Sequence, residues 1–98
     1  MTIKATQPRN LAHPGEILLE EFLKPMGITQ KRLAKHIGVE PNVVNELVNG
    51  KRGITAYSAM KLGAALSTGP EFWLNLQSRY DLSLEEPAKG ISPIRGAA

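Results

Sequence analysis

No cysteine occurs among the 98 residues, which excludes a disulfide framework and thiolate metal or redox chemistry, and fits a reducing compartment. Long apolar runs are missing too. The longest stretches of aliphatic or aromatic side chains are Ile17-Leu18-Leu19 and Phe72-Trp73-Leu74, far short of the roughly 20 residues of a membrane span and of a secretory apolar region. There is no strand signal and no internal repeat. The chain has the length of one domain, and so small a core leaves little room for a deep substrate pocket, which argues against an elaborate enzyme. What is present is an ordinary globular mix, 42% apolar and 21% charged.

The net charge of +3 carries little information, but its distribution carries more. Between Thr29 and Lys61 stand Lys31, Arg32, Lys35, Lys51, Arg52 and Lys61 against only Glu40 and Glu46. Between Pro14 and Ile28 the balance reverses, with Glu16, Glu20 and Glu21 against Lys24. The middle of the chain is therefore the electropositive part.

Periodicity and caps divide the chain into five short helices, an all-α reading. Residues 1–12 lack periodicity and read as a flexible arm. His13-Pro14-Gly15-Glu16 reads as a helix start, followed by Leu19, Phe22, Leu23 and Met26 as an amphipathic stripe, with Lys24-Pro25 weakening its end and Gly27 closing it. Thr29 caps a second helix from Gln30 to Ile37, stopped by Gly38, with Ile28 and Leu33 spaced as a hydrophobic staple. A third helix begins at Pro41 and ends before Asn49-Gly50. A fourth follows Thr55 and carries Ala59, Met60, Ala64 and Leu66. Pro70 opens a fifth, running to about Leu82. Residues 83–98, with Pro87, Gly90, Pro93 and Gly96, read as a disordered tail, leaving 13–82 as the folded domain.

The second and third helices form the informative unit. The turn between them, Gly38-Val39-Glu40, is so short that the helices must cross steeply, as in a helix-turn-helix. On the third helix Val43, Val44, Leu47 and Val48 face one way, while Asn42, Asn45, Glu46 and Asn49 share the other. Amide side chains donate and accept together, which suits the major-groove edge of adenine, and Glu46 can accept from cytosine N4. The methyls of Val43 are placed to touch thymine if that residue lies at the rim of the stripe. Gln30, Lys31, Lys51 and Arg52 flank this face as phosphate donors, which set register and affinity while base contacts set specificity. The competing account is a plain solvated helix face with Asn49-Gly50 as its cap.

Thr29-Gln30-x-x-Leu33-Ala34-x-x-x-Gly38-Val39 and Val44-x-x-Leu47-x-x-Gly50 resemble the helix-turn-helix of the Xre, or phage-repressor, family. With His13-Pro14-Gly15-Glu16-Ile17-Leu18, Asn49-Gly50-Lys51-Arg52-Gly53-Ile54 and Phe72-Trp73-Leu74-Asn75-Leu76-Gln77, the likeness narrows to the HigA-type antitoxins over about residues 13–82. This resemblance implies a cytoplasmic, dimeric repressor of its own operon that binds double-stranded operator DNA and neutralises an mRNA-cleaving HigB-type toxin. By position it puts Pro41, Asn42, Asn45 and Glu46 where related repressors touch bases, and Gln30, Asn49 and Lys51 where they hold phosphates. Such families often have Ser or Thr where Glu40 and Asn42 stand, so no operator sequence transfers. Gly69 likewise replaces a frequent Ser before Pro70.

The fifth helix spreads apolar groups over a wider arc than one packing stripe needs: Phe72, Leu76 and Tyr80 in one row, Trp73 beside it, Leu74 on another side. A two-fold interface using Trp73, Leu74, Gln77 and Tyr80 would explain that width, and a helix-turn-helix needs such a pair to read two half-sites. The alternative is that Trp73 and Tyr80 simply close the core. His13 and His36 lack the spacing of metal ligands, and no Ser has a visible base, so neither metal, cofactor nor catalysis is expected. Glu16, Glu20 and Glu21 could meet a basic toxin or simply form a solvated face. Two other readings stay open: a stand-alone Xre-type regulator without a toxin, and a module whose third helix binds protein instead of DNA.

Overall fold

The computed structural model describes residues 11–96. Residues 1–10 of the expected arm and 97–98 of the expected tail lie outside the described residues. The described chain is all-helical, with five helices joined by short turns.

The first helix, α1 (residues 14–26), starts where the sequence places it. The Gly15 N–H donates to His13 Nδ1 at 2.9 Å, and Pro14 occupies the first position, where no N–H is needed. After the first turn, Leu18–Leu23 adopts π register, so that the Lys24 N–H donates to the Leu19 carbonyl. The wide turn lies directly before Pro25, which has no N–H for Glu21 and whose ring would press on that carbonyl in a regular α-helix. Lys24–Met26 completes the helix, and Gly27 ends it at φ 65°.

This register corrects the expected stripe. Side chains five apart, Leu18 and Leu23, are both buried, Leu19 and Phe22 are half-buried, and Met26 is 52% exposed. A constant 3.6-residue period carries Met26 inward and passes over Leu18; the wider turn does the reverse.

Helices α2 (Gln30–Ile37) and α3 (Pro41–Val48) follow with local caps as expected. Thr29 Oγ1 accepts from the Arg32 N–H at 3.0 Å, and Gly38, at φ 74°, turns the chain so that the Val39 N–H reaches the Ala34 carbonyl. Lys61 Nζ adds a bond to the Ile37 carbonyl at 2.8 Å, placing a cation at the end of α2. Helix α4 (Ala56–Ala65) opens with a reciprocal capping box between Thr55 and Ser58. It buries Ala59, Leu62 and Gly63, whereas Met60 is 63% exposed because it sits one position round from that row. Helix α5 (Pro70–Ser83) packs along α4. Gly63 permits this, since a Cβ there would lie 2.4 Å from the Gly69 carbonyl carbon. Residues 84–96 carry no regular secondary structure.

The core joins Leu18 and Leu23 of α1, Leu33 and Ala34 of α2, Val44 and Leu47 of α3, Ile54, Ala59 and Leu62, and Trp73 of α5. Trp73 is fully buried within the single chain, its ring 5.3 Å from Phe22 and 5.0 Å from Phe72 between centroids. That corrects its place in the expected dimer interface: the indole has no surface left for a second chain.

Candidate nucleic-acid interface

The three-residue turn after α2 sets α3 across it with one face inward. Val44 and Leu47 are buried and Val48 is half-buried; Pro41, Asn42, Asn45 and Asn49 are exposed, with Glu46 intermediate. Val43 is half-buried and packs against the core, lining a small cavity with Ile37, Val39 and Leu62. Most of its isopropyl group is therefore committed inward. Gly15 seats α1 on this helix: a Cβ there would lie 1.5 Å from the Leu47 carbonyl oxygen, so only glycine lets the two backbones meet.

On the outer face the polar side chains are already bonded to one another. Arg52 donates through Nε and Nη2 to Glu46 Oε1 at 3.0 and 2.7 Å, and Asn42 Nδ2 donates to Glu46 Oε2 at 3.2 Å. Across the helix pair, Asn45 Nδ2 donates to Gln30 Oε1 at 3.2 Å. Two of the expected phosphate donors are thus tied to expected base readers, Gln30 to Asn45 and Arg52 to Glu46. The hydrogen bonds from Arg52 hold the Glu46 carboxyl below its ordinary pKa, and with the charges of Arg52 and Lys51 and the bond from Asn42 they outweigh the opposing effect of desolvation. Lys31, in the first turn of α2, and Lys51, just beyond α3, are both exposed.

The loop beyond α3 is held from behind. Gly50, at φ 73°, reverses the chain, and the Lys51 N–H donates to the Glu46 carbonyl at 2.8 Å. Gln77 Oε1 then accepts from the Ile54 N–H at 2.6 Å while its Nε2 donates to Asp81. Tyr80 is half-buried, its ring edge-on to His13 at 4.9 Å between centroids. Of the four side chains expected at a two-fold interface, Gln77 and Tyr80 therefore have partners inside the chain, and Leu74 is 37% exposed.

Sequence reasoning missed the hub role of Glu46 and the clamp role of Gln77. The Asn42–Glu46 bond has a visible signal in its i, i+4 spacing. Arg52 and Gln77 have none, because each meets its partner only after the chain turns at Gly50 or returns through α5. Among the described residues no group of three or more His, Asp or Glu side chains is placed to hold a metal ion, and no helix is long and apolar enough to cross a membrane.

Two packed helices on a three-residue turn, the second with an amide-bearing outer face, define a helix-turn-helix protein of the Xre, phage-repressor type, and the family described as helix-turn-helix matches residues 19–73. The chain is 49% identical over 85 residues to the antitoxin HigA-1 of Vibrio cholerae, covering 82% of this chain and 80% of that one. The solved structure of Pseudomonas aeruginosa antitoxin HigA with the higBA promoter superimposes at a TM-score of 0.74 and 43% identity, covering 76% of this chain and 80% of that one. Antitoxin GraA in complex with its operator superimposes at 0.70 and 47% identity, over 74% and 73% of the two chains. This chain belongs to the HigA-type antitoxin family.

Proposed function

We propose that the protein is a sequence-specific DNA-binding antitoxin that represses its own operon as a homodimer and neutralises an mRNA-cleaving HigB-type toxin. The carrying observation is the outer face of α3, where Asn42 and Asn45 stand exposed between Lys31 and Lys51 on a helix whose inner face is sealed by Val44 and Leu47. Pro41, Asn42 and Asn45 meet base edges. Gln30, Lys31, Asn49 and Lys51 hold phosphates on either side. The relatives whose solved structures contain a promoter or operator support the same partner.

Pairing about a two-fold axis through the exposed part of α5, around Leu74, gives two recognition helices for two half-sites about one DNA turn apart. The protein acts by binding, in the cytoplasm where its operator is, and catalyses no reaction. Repression follows from occupancy of the promoter, and toxin release from loss of the antitoxin. The test is electrophoretic mobility shift with the DNA upstream of the gene, over a range of salt, together with co-expression of the adjacent short reading frame. A salt-dependent shift on the upstream DNA and rescue of growth from the neighbour's toxicity are expected. A shift without any toxic neighbour makes the protein a stand-alone regulator. No shift at any salt rejects DNA binding.

A further inference from the structure

We infer that Arg52 is a base-reading side chain that pairs with a guanine in the major groove, and that Glu46 is the positioning residue for both Arg52 and Asn42. This deepens the operator-binding reading above and rests on it. In sequence order Arg52 lies beyond the end of α3, where a phosphate clamp belongs. In the structure the turn at Gly50 returns the chain, and the guanidinium folds back to Glu46, four residues along the helix from Asn42.

The geometry of that return selects which donors remain. A guanidinium offers five N–H groups in a rigid plane. Its Nε and Nη2 edge is engaged by Glu46 Oε1. The end-on edge, formed by Nη1 and the second hydrogen of Nη2, is left for another acceptor, and it is the edge that pairs bidentately with guanine O6 and N7. The Arg52 side chain keeps 45% of its surface exposed.

Glu46 Oε2 meanwhile accepts from Asn42 Nδ2, which fixes the sense of that amide. The Asn42 Oδ1 and the second Nδ2 hydrogen remain for N6 and N7 of adenine. Three hydrogen bonds from Arg52 and Asn42 already meet the Glu46 carboxylate, which makes it the group that orients both readers. The low proton affinity that Arg52 confers keeps the carboxylate ionised. An Arg–Glu pair has no net charge, so it adds little attraction to phosphate on random DNA while still presenting donors to a base edge. Specific binding is favoured over non-specific binding by the same pair.

The experiment is selection from randomised duplexes by the full-length wild type and by R52K, E46A and K51A, with binding to a random duplex and melting temperature measured for each. Wild type is expected to select a guanine at one position of each half-site. R52K should lose that preference by about fivefold or more, with random-duplex affinity and salt slope unchanged, since lysine keeps the charge and lacks the planar fork. E46A should relax the same guanine and the adenine read by Asn42 together, with the melting temperature preserved. K51A should weaken all duplexes and leave the selected motif intact. If R52K and wild type select the same motif, Arg52 is a phosphate contact and the inference is overturned. It is also overturned if E46A lowers the melting temperature while leaving both preferences in place. If wild type selects no motif at all, operator binding and the inference fall together.

Discussion

Gln77 on α5 accepts the backbone N–H of Ile54 at 2.6 Å, so the helix that closes the core also holds the loop that presents Lys51 and Arg52. The contact is tight: a Cβ on Gly53 would lie 3.1 Å from the same Gln77 oxygen. Asp81 fixes the amide by accepting from Nε2 at 2.9 Å.

Replacing Gln77 by Ala leaves the N–H of a buried Ile54 without its acceptor. A loss of about 1–3 kcal/mol in urea unfolding is expected, the cost of an orphaned buried donor. Operator affinity should fall as the loop loosens. An unchanged unfolding midpoint would mean that this bond does not form in solution.

Trp73→Ala should cost about 3–5 kcal/mol of stability without dissociating the folded protein into monomers, because the ring is core. Leu74→Glu should do the opposite, lowering the sedimentation coefficient toward that of a monomer with little change in melting. Dissociation by Trp73→Ala with unchanged stability would restore the indole to the interface.

Lys51→Ala should make the plot of log K against log salt shallower by about one counterion per protomer. The sequence alone predicts up to two for the Lys51, Arg52 pair. Arg52 is paired with Glu46, so removing the neutral pair together, with E46A and R52A added to K51A, should not change the slope further.

Burial holds the His13 imidazole below its ordinary pKa, against the raising influence of Asp81 and Glu16. The Gly15 N–H also requires an unprotonated Nδ1. The unfolded chain therefore binds the proton more readily than the folded one. The His13 contribution is complete above the unfolded value near 6.5 and is lost as pH falls through the lower folded value. Urea midpoints between pH 5 and 7.5, compared with His13→Asn, should show the wild type losing more stability on acidification. Parallel profiles would remove His13 as the titrating group.

Gly15→Ala forces α1 away from α3, because the new methyl meets the Leu47 carbonyl and no rotamer change can relieve a backbone clash. A loss of about 1–3 kcal/mol or more is expected from thermal melts, with weakened operator binding as α3 shifts.

The helices were legible wherever their ends are decided locally. Thr29, Gly38, Pro41, Thr55 and Pro70 act through neighbours within a few residues, and each cap or turn stands where its residue type places it. Met26 falls outside the core, and Leu18, absent from the expected stripe, falls inside it, because the π turn before Pro25 shifts the phase while periodicity assumes a constant one. Trp73 was ambiguous for another reason: a core and an interface both want a large aromatic, and only packing decides between them. On the candidate DNA face, residue types were legible while pairing was not. The Arg52–Glu46 and Gln77–Ile54 contacts span six and 23 positions and exist only after the chain has folded back.

Trp73 is the sole tryptophan of the sequence, it is sealed from solvent, and among the described residues its Nε1 has no hydrogen-bond partner. A dry indole emits at shorter wavelength than a hydrated one, so the protein carries a single internal fluorophore whose colour reports on the centre of the fold. DNA lying on α3 does not touch that ring. Emission should therefore hold steady through an operator titration and move to the red only when the domain opens, which separates loss of binding from loss of structure in one optical measurement.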